Sequence, residues 1–195
     1  MKPLLLTLPT YIETERLFLR PYQSGDESWY YQMSQRNKSH LARYESGNAV
    51  MRINSQEDAE NVVRELETSW LAGRAFFLGA FRKDAAEFVA EIYIGVVNLD
   101  LPEFEIGYFA DVDQSGKGYV TEATEAAVRF VFEQLGADRI RLECDDTNMP
   151  SSRVAERCRF VKEGHIRENR KNVDGSISGT LYYGLLRREF NLQLP

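Results

Sequence analysis

The chain has 195 residues, of which 43% are hydrophobic and 12% aromatic, and its formal net charge is −6. This length and composition suit one compact domain with an apolar core, so we expect a single domain over 1–195 with a flexible tail at 1–10. The acidic balance and the lack of Lys/Arg runs argue against nucleic-acid binding, and no segment approaches the roughly 20 apolar residues of a membrane span.

The amino terminus and the cysteines favour a cytoplasmic protein. "MKPLLLTLPT" has one lysine and three consecutive leucines, which is too short for the core of a signal peptide. Cys144 and Cys158 lack the spacing of a zinc site or a disulfide framework, so we expect each to be a small buried apolar residue. A cytoplasmic chain without a metal is therefore expected.

The first third of the chain predicts one strand and two helices. Residues 16–22 are typical of a strand, and Ser24 or Asp26 can cap the helix that follows. A second helix begins after Ser55, with Asp58 three residues later as in a capping box. Its apolar stripe consists of Ala59, Val62, Val63, Leu66 and Trp70.

The centre of the chain alternates strands with one long helix. Residues 74–81 and 88–99 predict the two strands of a hairpin, and 104–111 predicts a further strand. A helix over 119–135 follows, and the strand at 139–145 completes a β-α-β step. The end of the chain predicts a short helix, "SSRVAERC", and two closing strands, "FVKEGHIREN" and "TLYYGLLRREF". The pattern indicates an α/β domain with antiparallel hairpins.

A glycine loop precedes the long helix and is the first candidate site. Gly116 and Gly118 lie between the end of a strand and a helix start, where unpaired N–H groups meet the positive end of a helix dipole. Such a place can hold an anion, and glycines let the backbone approach it closely. Taken alone, the two glycines are more typical of an ordinary tight turn that caps a helix.

The surrounding sequence resembles a known family. "FEIGYFADVDQSGKGYVTEATEAAVRFVFEQLGADRIRLECDDTNMPSSRVAERCRFVKEG" resembles the core of the GCN5-related N-acetyltransferases, or GNAT superfamily, in its RimJ/RimL-type branch. "TERLFLRPY" and "YYGLLRREF" resemble the first and last strands of that branch, so the resemblance covers about 12–190. It implies a single-domain GNAT fold, with a mixed sheet of about seven strands, splayed central strands and about four helices.

The resemblance implies that acetyl-CoA is the cosubstrate. Its pyrophosphate would bind the loop over 115–120, and its pantetheine arm would lie between the strands 104–111 and 139–145. Gly107 interrupts a strand pattern, which independently favours a bulge or a close backbone approach there. The cofactor-binding residues expected from the resemblance are Gly107, Tyr108, Phe109, Ser115, Gly116, Lys117, Gly118, Tyr119, Val120, Asn148 and Ser151.

The sequence departs from the family pattern at several positions. Ser115 stands at the usual Gln/Arg position of the loop, Val120 at a Gly/Ala position, and Arg159 at a common glycine position. The tyrosine acid of the family would fall at Ala155 and is absent. Because the loop would bind mainly through backbone N–H groups, these changes affect the side-chain match more than the anion site itself.

Amine acetylation needs a base, an oxyanion donor and an acid for the leaving sulfur. The RimL-like pattern implies Ser151 for the thiol side, although a serine at a helix start is as often an N-cap. Glu105 and Glu168 are the two candidate bases, and each is alternatively a solvated or ion-paired carboxylate. His40 and His165 belong to no recognisable triad, so we expect them to be ordinary surface or core residues.

The acceptor is constrained by amine acidity. About a tenth of an α-amino group with a pKa of about 7.7 to 8 is neutral at pH 7, against well under a thousandth of a lysine. The resemblance favours the N-terminal α-amine of a ribosomal protein, while a small-molecule amine and a non-catalytic acyl-CoA-binding module are the alternatives. We expect 37–55, including Tyr44, to line the acceptor pocket, and homodimers are common in this family.

Overall fold

The computed structural model describes residues 8–192, which form one eight-stranded sheet flanked by five α-helices. The strands are β1 Ile12–Glu13, β2 Leu17–Pro21, β3 Ala75–Arg82, β4 Phe88–Asn98, β5 Glu103–Ala110, β6 Arg139–Asp145, β7 Val161–Lys171 and β8 Ile177–Leu186. The α-helices are α1 Glu27–Leu41, α2 Gln56–Leu71, α3 Tyr119–Glu133, α4 Met149–Arg157 and α5 Arg187–Asn191, and the 3-10 helices are Ala49–Arg52 and Val112–Gln114.

The strands follow the order β1-β2-β3-β4-β5-β6-β8-β7, and all neighbours are antiparallel except β5 and β6. The parallel pair is joined through α3, which confirms the predicted β-α-β step. The hairpin of β3 and β4 is also confirmed. The described sheet has eight strands instead of about seven because the two-residue β1, which the sequence did not predict, pairs with the edge of β2.

Helix α2 begins where its sequence predicts. Ser55 accepts a hydrogen bond from the Asp58 N–H, and the Asp58 side chain accepts one from the Ser55 N–H. All five residues of its predicted apolar stripe are buried. Asp26 stands at the N-cap position of α1, but its carboxylate binds Arg20 instead of the helix N–H groups. This ion pair therefore replaces the predicted side-chain cap.

The helices cover both faces of the sheet because its central strands β3, β4 and β5 are apolar on both sides. Ile92 and Ile106 belong to the buried cluster that includes the apolar face of α3. Phe88 and Phe109 belong to a second cluster, which includes residues of α1 and α2. Successive side chains of a strand point to opposite faces, which places Ile106 and Phe109 of β5 in different clusters. In β4 the register shifts opposite 88–90, and this irregularity turns Phe88 to the second cluster.

The prediction of a continuous last strand over 180–190 is wrong at its end. The strand β8 stops at Leu186 and α5 follows, with the Leu186 N–H donating to the Glu189 carboxylate at 2.9 Å. The Phe190 ring stacks on Phe132 of α3 with centroids 4.8 Å apart, and Arg187 donates to the Phe132 carbonyl at 2.9 Å. These contacts with α3, which lies far away in sequence, favour a helical turn over a longer strand.

Other predictions concern local features. Cys144 and Cys158 are free and buried, as expected. Within 8–192, no helix is long and apolar enough to cross a membrane. The tail predicted at 1–10 falls mostly on 1–7, which lie outside the described residues.

Candidate active site

The central strands of the sheet separate after a short contact. Parallel pairing between β5 and β6 covers only Glu103 to Glu105 against Arg139 to Arg141. Beyond that point β5 pairs regularly with β4, and Gly107 lies opposite Tyr93 without a register shift. The glycine therefore marks the start of a gap between the strands instead of a bulge. We call this gap, between 106–110 and 142–145, the splay.

The glycine loop lies at the end of β5 and leads into α3. Gly116 and Gly118 have φ values of 78° and 81°, the left-handed region that glycine adopts without strain. Gly118 is the N-cap of α3 and offers no side-chain cap, so the first N–H groups of α3 depend on an external acceptor or water. This geometry suits an anion at the helix N-terminus.

Arg16 holds the loop against the start of α3. Its guanidinium donates to the Lys117 carbonyl at 3.1 Å and to the Glu122 carboxylate at 2.6 Å, and it lies 4.7 Å from the centre of the Tyr119 ring. Lys117 folds back, and its ammonium donates to the Gln114 side chain at 2.8 Å. Arg16 and Lys117 thereby connect the loop to α3 and to the 3-10 helix before it.

Ser151 and Tyr108 meet across the splay. The Tyr108 hydroxyl donates to the Ser151 carbonyl at 2.8 Å, and the Ser151 hydroxyl lies 3.4 Å from the Tyr108 oxygen. Burial raises the pKa of Tyr108 well above its ordinary range, so the phenol stays protonated. Asn148 is the N-cap of α4 and accepts from the Ser151 N–H at 3.3 Å. Thus Asn148, rather than Ser151, occupies the capping position.

The two predicted bases occupy different environments. Glu105 accepts two hydrogen bonds from the Arg141 guanidinium, at 2.9 and 2.6 Å. Glu168 is exposed on the edge strand β7, where the register shifts, and its φ is 54°. Neither carboxylate lines the pocket on the α2 face of the sheet.

A pocket of about 390 Å³ opens on the face of the sheet that carries α2. Its wall on β5 is Gly107 to Phe109, so it adjoins the splay. The segment 37–55 contributes five lining residues, Glu45, Gly47, Asn48, Ala49 and Arg52. Tyr44 is not among them; its hydroxyl lies 3.3 Å from that of Thr147, in the loop before α4. We call this cavity the β5 pocket.

Residues 16–161 match the family described as the acetyltransferase (GNAT) domain. The chain belongs to the GNAT acetyltransferases. N-acetyltransferase p20 of Bacillus licheniformis is 24% identical over 91% of this chain and 96% of its own. The ribosomal-protein-serine acetyltransferase of Escherichia coli K12 is 27% identical over 71% of this chain and 75% of its own. These matches agree with the resemblance found in the sequence and identify an N-acetyltransferase.

Solved GNAT structures share the fold of this chain. RimL, a ribosomal L7/L12 α-N-protein acetyltransferase in complex with coenzyme A, superposes with a TM-score of 0.80, at 19% identity, over 93% of this chain and 98% of its own. At this identity, the similarity shows the fold. The two chains therefore share one fold over nearly their whole lengths.

Glu91 is a functional candidate of this acetyltransferase that the sequence reasoning missed. It lines the β5 pocket, is 3% exposed, and accepts a hydrogen bond from the Tyr22 hydroxyl at 2.8 Å. Burial raises the pKa of Glu91 to about 7, although hydrogen bonds from Tyr22, Asn48 and Tyr30 oppose the rise. The signal in the sequence was a single carboxylate inside the apolar run "FVAEIYIGVV".

The histidines of the acetyltransferase form no triad. His40 is exposed at the end of α1, and His165 pairs with Asp146 at 2.8 Å on the exposed edge strand. Arg159, at the glycine position of the family pattern, has a φ of 64°. This backbone conformation explains why glycine is common at that position and places an L-residue under strain here.

Proposed function

We propose that this N-acetyltransferase acts in the cytoplasm and uses acetyl-CoA to acetylate an N-terminal α-amine, a ribosomal protein being the first acceptor to test. The observation that carries the proposal is the splay, whose open strand edges lie between the N-terminus of α3 and the β5 pocket. An extended amide-bearing arm suits unpaired strand edges, because it can accept and donate the backbone hydrogen bonds that β5 and β6 no longer exchange. Two buried free cysteines agree with a reducing compartment.

The glycine loop fits a pyrophosphate group. The left-handed glycines 116 and 118 place no side chain near the N–H groups of the loop, and Arg16 binds the Lys117 carbonyl. We expect the N–H groups of 116–120 to bind the phosphate oxygens, because hydrogen bonds to charged groups contribute roughly 1.5 to 3 kcal/mol each. Ser115 and Val120 would then contribute through their backbone, which suits their departure from the family pattern.

Ser151 is proposed to protonate the leaving sulfur. It lies on the first turn of α4, beside a phenol that burial keeps protonated, so a proton donor is available on the α4 side of the splay. A backbone N–H within 107–109 would donate to the thioester oxygen as negative charge develops there. Glu105 stays a proposed base, although its carboxylate already accepts two hydrogen bonds from the Arg141 guanidinium.

We favour the α-amine over a lysine side chain because it is the more acidic ammonium. About a tenth of an α-amino group is neutral at pH 7, against well under a thousandth of a lysine. The names of two relatives point the same way: one acetylates ribosomal protein serine, and the other is an α-N-protein acetyltransferase of L7/L12. A small-molecule amine is the second candidate, because the β5 pocket of about 390 Å³ can hold one completely.

The test is thiol release from acetyl-CoA with hexapeptides that begin with serine or alanine, the same peptides with blocked amino groups, and a set of small primary amines. Release that needs a free α-amine supports the proposal, and release with small amines alone supports the second candidate. Coenzyme A binding without acceptor-dependent release would identify a binding module. Ser151→Ala should lower kcat at least tenfold with little change in coenzyme A affinity, whereas Ser28→Ala, on an exposed part of α1, should change neither.

A further inference from the structure

We propose that Glu91 binds the ammonium group of the acceptor and removes its proton. This inference rests on the proposed function, because it assigns the base for the same reaction. It is carried by the position of Glu91 at the junction of β4, the β5 pocket and the splay.

The register of the sheet brings Glu91 close to the reacting end of the splay. Glu91 lies opposite Phe109, and Tyr93, the next residue of β4 on the same face of the sheet, lies opposite Gly107. Both Glu91 and 107–109 line the β5 pocket. Ser151 reaches the splay from the side of α4, so an amine in the pocket and the thiol-side hydroxyl would flank a thioester between them.

The carboxylate is held in place by neighbours from three elements. Tyr22 donates to Oε2 at 2.8 Å, the hydroxyl of Tyr30 on α1 is 3.5 Å from the same oxygen, and Asn48 stabilises the ionised form. Burial and the nearby carboxylate raise the pKa of both phenols well above their ordinary range. The phenols therefore remain donors, which fixes the orientation of Glu91.

The charges around Glu91 leave a place for a cation. Glu45 lines the same pocket, and burial, together with the charge of Glu91, raises its pKa to about 7 while Arg170 opposes the rise. Arg52 and Glu65 also line the pocket, but they pair with each other at 2.9 Å and are more than half exposed. No cation among the described residues makes an ion pair with Glu91 or Glu45, whereas Glu105 is neutralised by Arg141.

In the proposed reaction Glu91 removes a proton from the amine, and Ser151 delivers a proton to the sulfur. The acceptor enters as an ammonium, and Glu91 takes one of its protons so that the nitrogen lone pair can attack the thioester carbon. The C–N bond forms, the C–S bond breaks, the second nitrogen proton is transferred to the sulfur by way of Ser151, and Glu91 returns its proton to water. A base whose pKa is about 7 suits this exchange at neutral pH.

The first test is kinetic, with the serine hexapeptide and the variants Glu91→Gln, Glu91→Asp and Glu60→Gln. Glu91→Gln should lower kcat/KM about 100-fold or more at pH 7.5. In the pH profile of kcat/KM, the apparent pKa of the acid limb should move from about 7 in the wild type to the pKa of the amine itself in Glu91→Gln, about 7.7 to 8. Glu91→Asp should retain the wild-type limb with a lower rate, and Glu60→Gln, on the exposed side of α2, should match the wild type. Equal profiles for wild type and Glu91→Gln would overturn the assignment.

The second test does not depend on turnover. In the coenzyme A complex of the wild type, the ¹³Cδ resonance of Glu91 should titrate near pH 7, and adding the serine hexapeptide should lower that pKa. The blocked peptide should leave it unchanged. If the pKa of Glu91 does not change when the peptide with the free amine is added, the inference is refuted, even if the enzyme is active. A lowered pKa without acetyl transfer would keep Glu91 as the amine ligand and refute the proposed function instead.

Discussion

Glu91→Gln should make the stability of the protein less dependent on pH. In the native state burial raises the pKa of Glu91 from its ordinary value of 4.5 to about 7. The folded protein therefore binds a proton more tightly than the unfolded chain between these values, and wild-type stability falls as the pH rises through this window. Each pKa unit corresponds to 1.36 kcal/mol, so the loss attributable to Glu91 is about 3 kcal/mol above pH 7.

The glutamine has the same shape and no charge, so it retains the contact with Tyr22 and avoids this loss. Urea denaturation of both proteins from pH 4.5 to 8.5 measures the difference in the free energy of unfolding. As the pH rises from 4.5 to 8.5, the free energy of unfolding of Glu91→Gln should increase by about 3 kcal/mol relative to that of the wild type. For a chain of this size, this corresponds to a relative increase in Tm of about 6 to 12 °C. Glu60→Gln provides the control for removal of an exposed charge. A difference between Glu91→Gln and wild type that stays constant with pH would show that Glu91 titrates normally, and the reasoning from burial would be wrong.

Two backbone predictions concern residues with positive φ. Gly118→Ala places a Cβ in the left-handed region, which costs about 1 to 2 kcal/mol. We therefore expect a lower free energy of unfolding by urea denaturation and weaker coenzyme A binding by calorimetry. Unchanged values for both would contradict the proposed loop. Arg159→Gly removes the same strain at a φ of 64° and should raise the free energy of unfolding by about 0.5 to 1 kcal/mol, the gain being reduced by the greater freedom of glycine in the unfolded chain. If Arg159→Gly is less stable than the wild type, the arginine side chain stabilises the protein by more than the backbone strain at this position costs.

Local signals predicted most of the fold. The Ser55 and Asp58 capping box and the apolar stripe of α2 are encoded within neighbouring residues, and the structure confirms them. The end of the chain was predicted less well because α5 depends on Phe190 stacking against Phe132, which lies in another element. Asp26 shows the same limit, since Arg20 competes successfully for the carboxylate that the pattern assigns to the helix cap.

The glycine loop is the part of the proposed site that sequence reasoning reaches most directly, because it depends on backbone geometry. Glycines 116 and 118 have the left-handed conformation, which agrees with the proposed anion loop before α3. Glu91 was missed because its significance comes from Tyr22 and Tyr30, which are 69 and 61 residues away in sequence. A strand carboxylate is usually solvated, and only the packing of α1 onto the sheet makes this one an exception. Glu105, chosen from its strand context, proved to have an arginine partner for a similar reason.

The short contact between β5 and β6 divides the sheet into two parts, with five strands on one side and three on the other. These three pairs are the only strand hydrogen bonding between the two parts among the described residues, whereas the core around α3 packs against both. A ligand that bonds to both strand edges of the splay would add a second connection. Because Gly107 to Phe109 belong to both the splay and the β5 pocket, a cofactor in the splay would also complete the wall of the proposed amine site. For the proposed reaction we therefore predict an ordered mechanism, in which acetyl-CoA binds before the amine and coenzyme A leaves last.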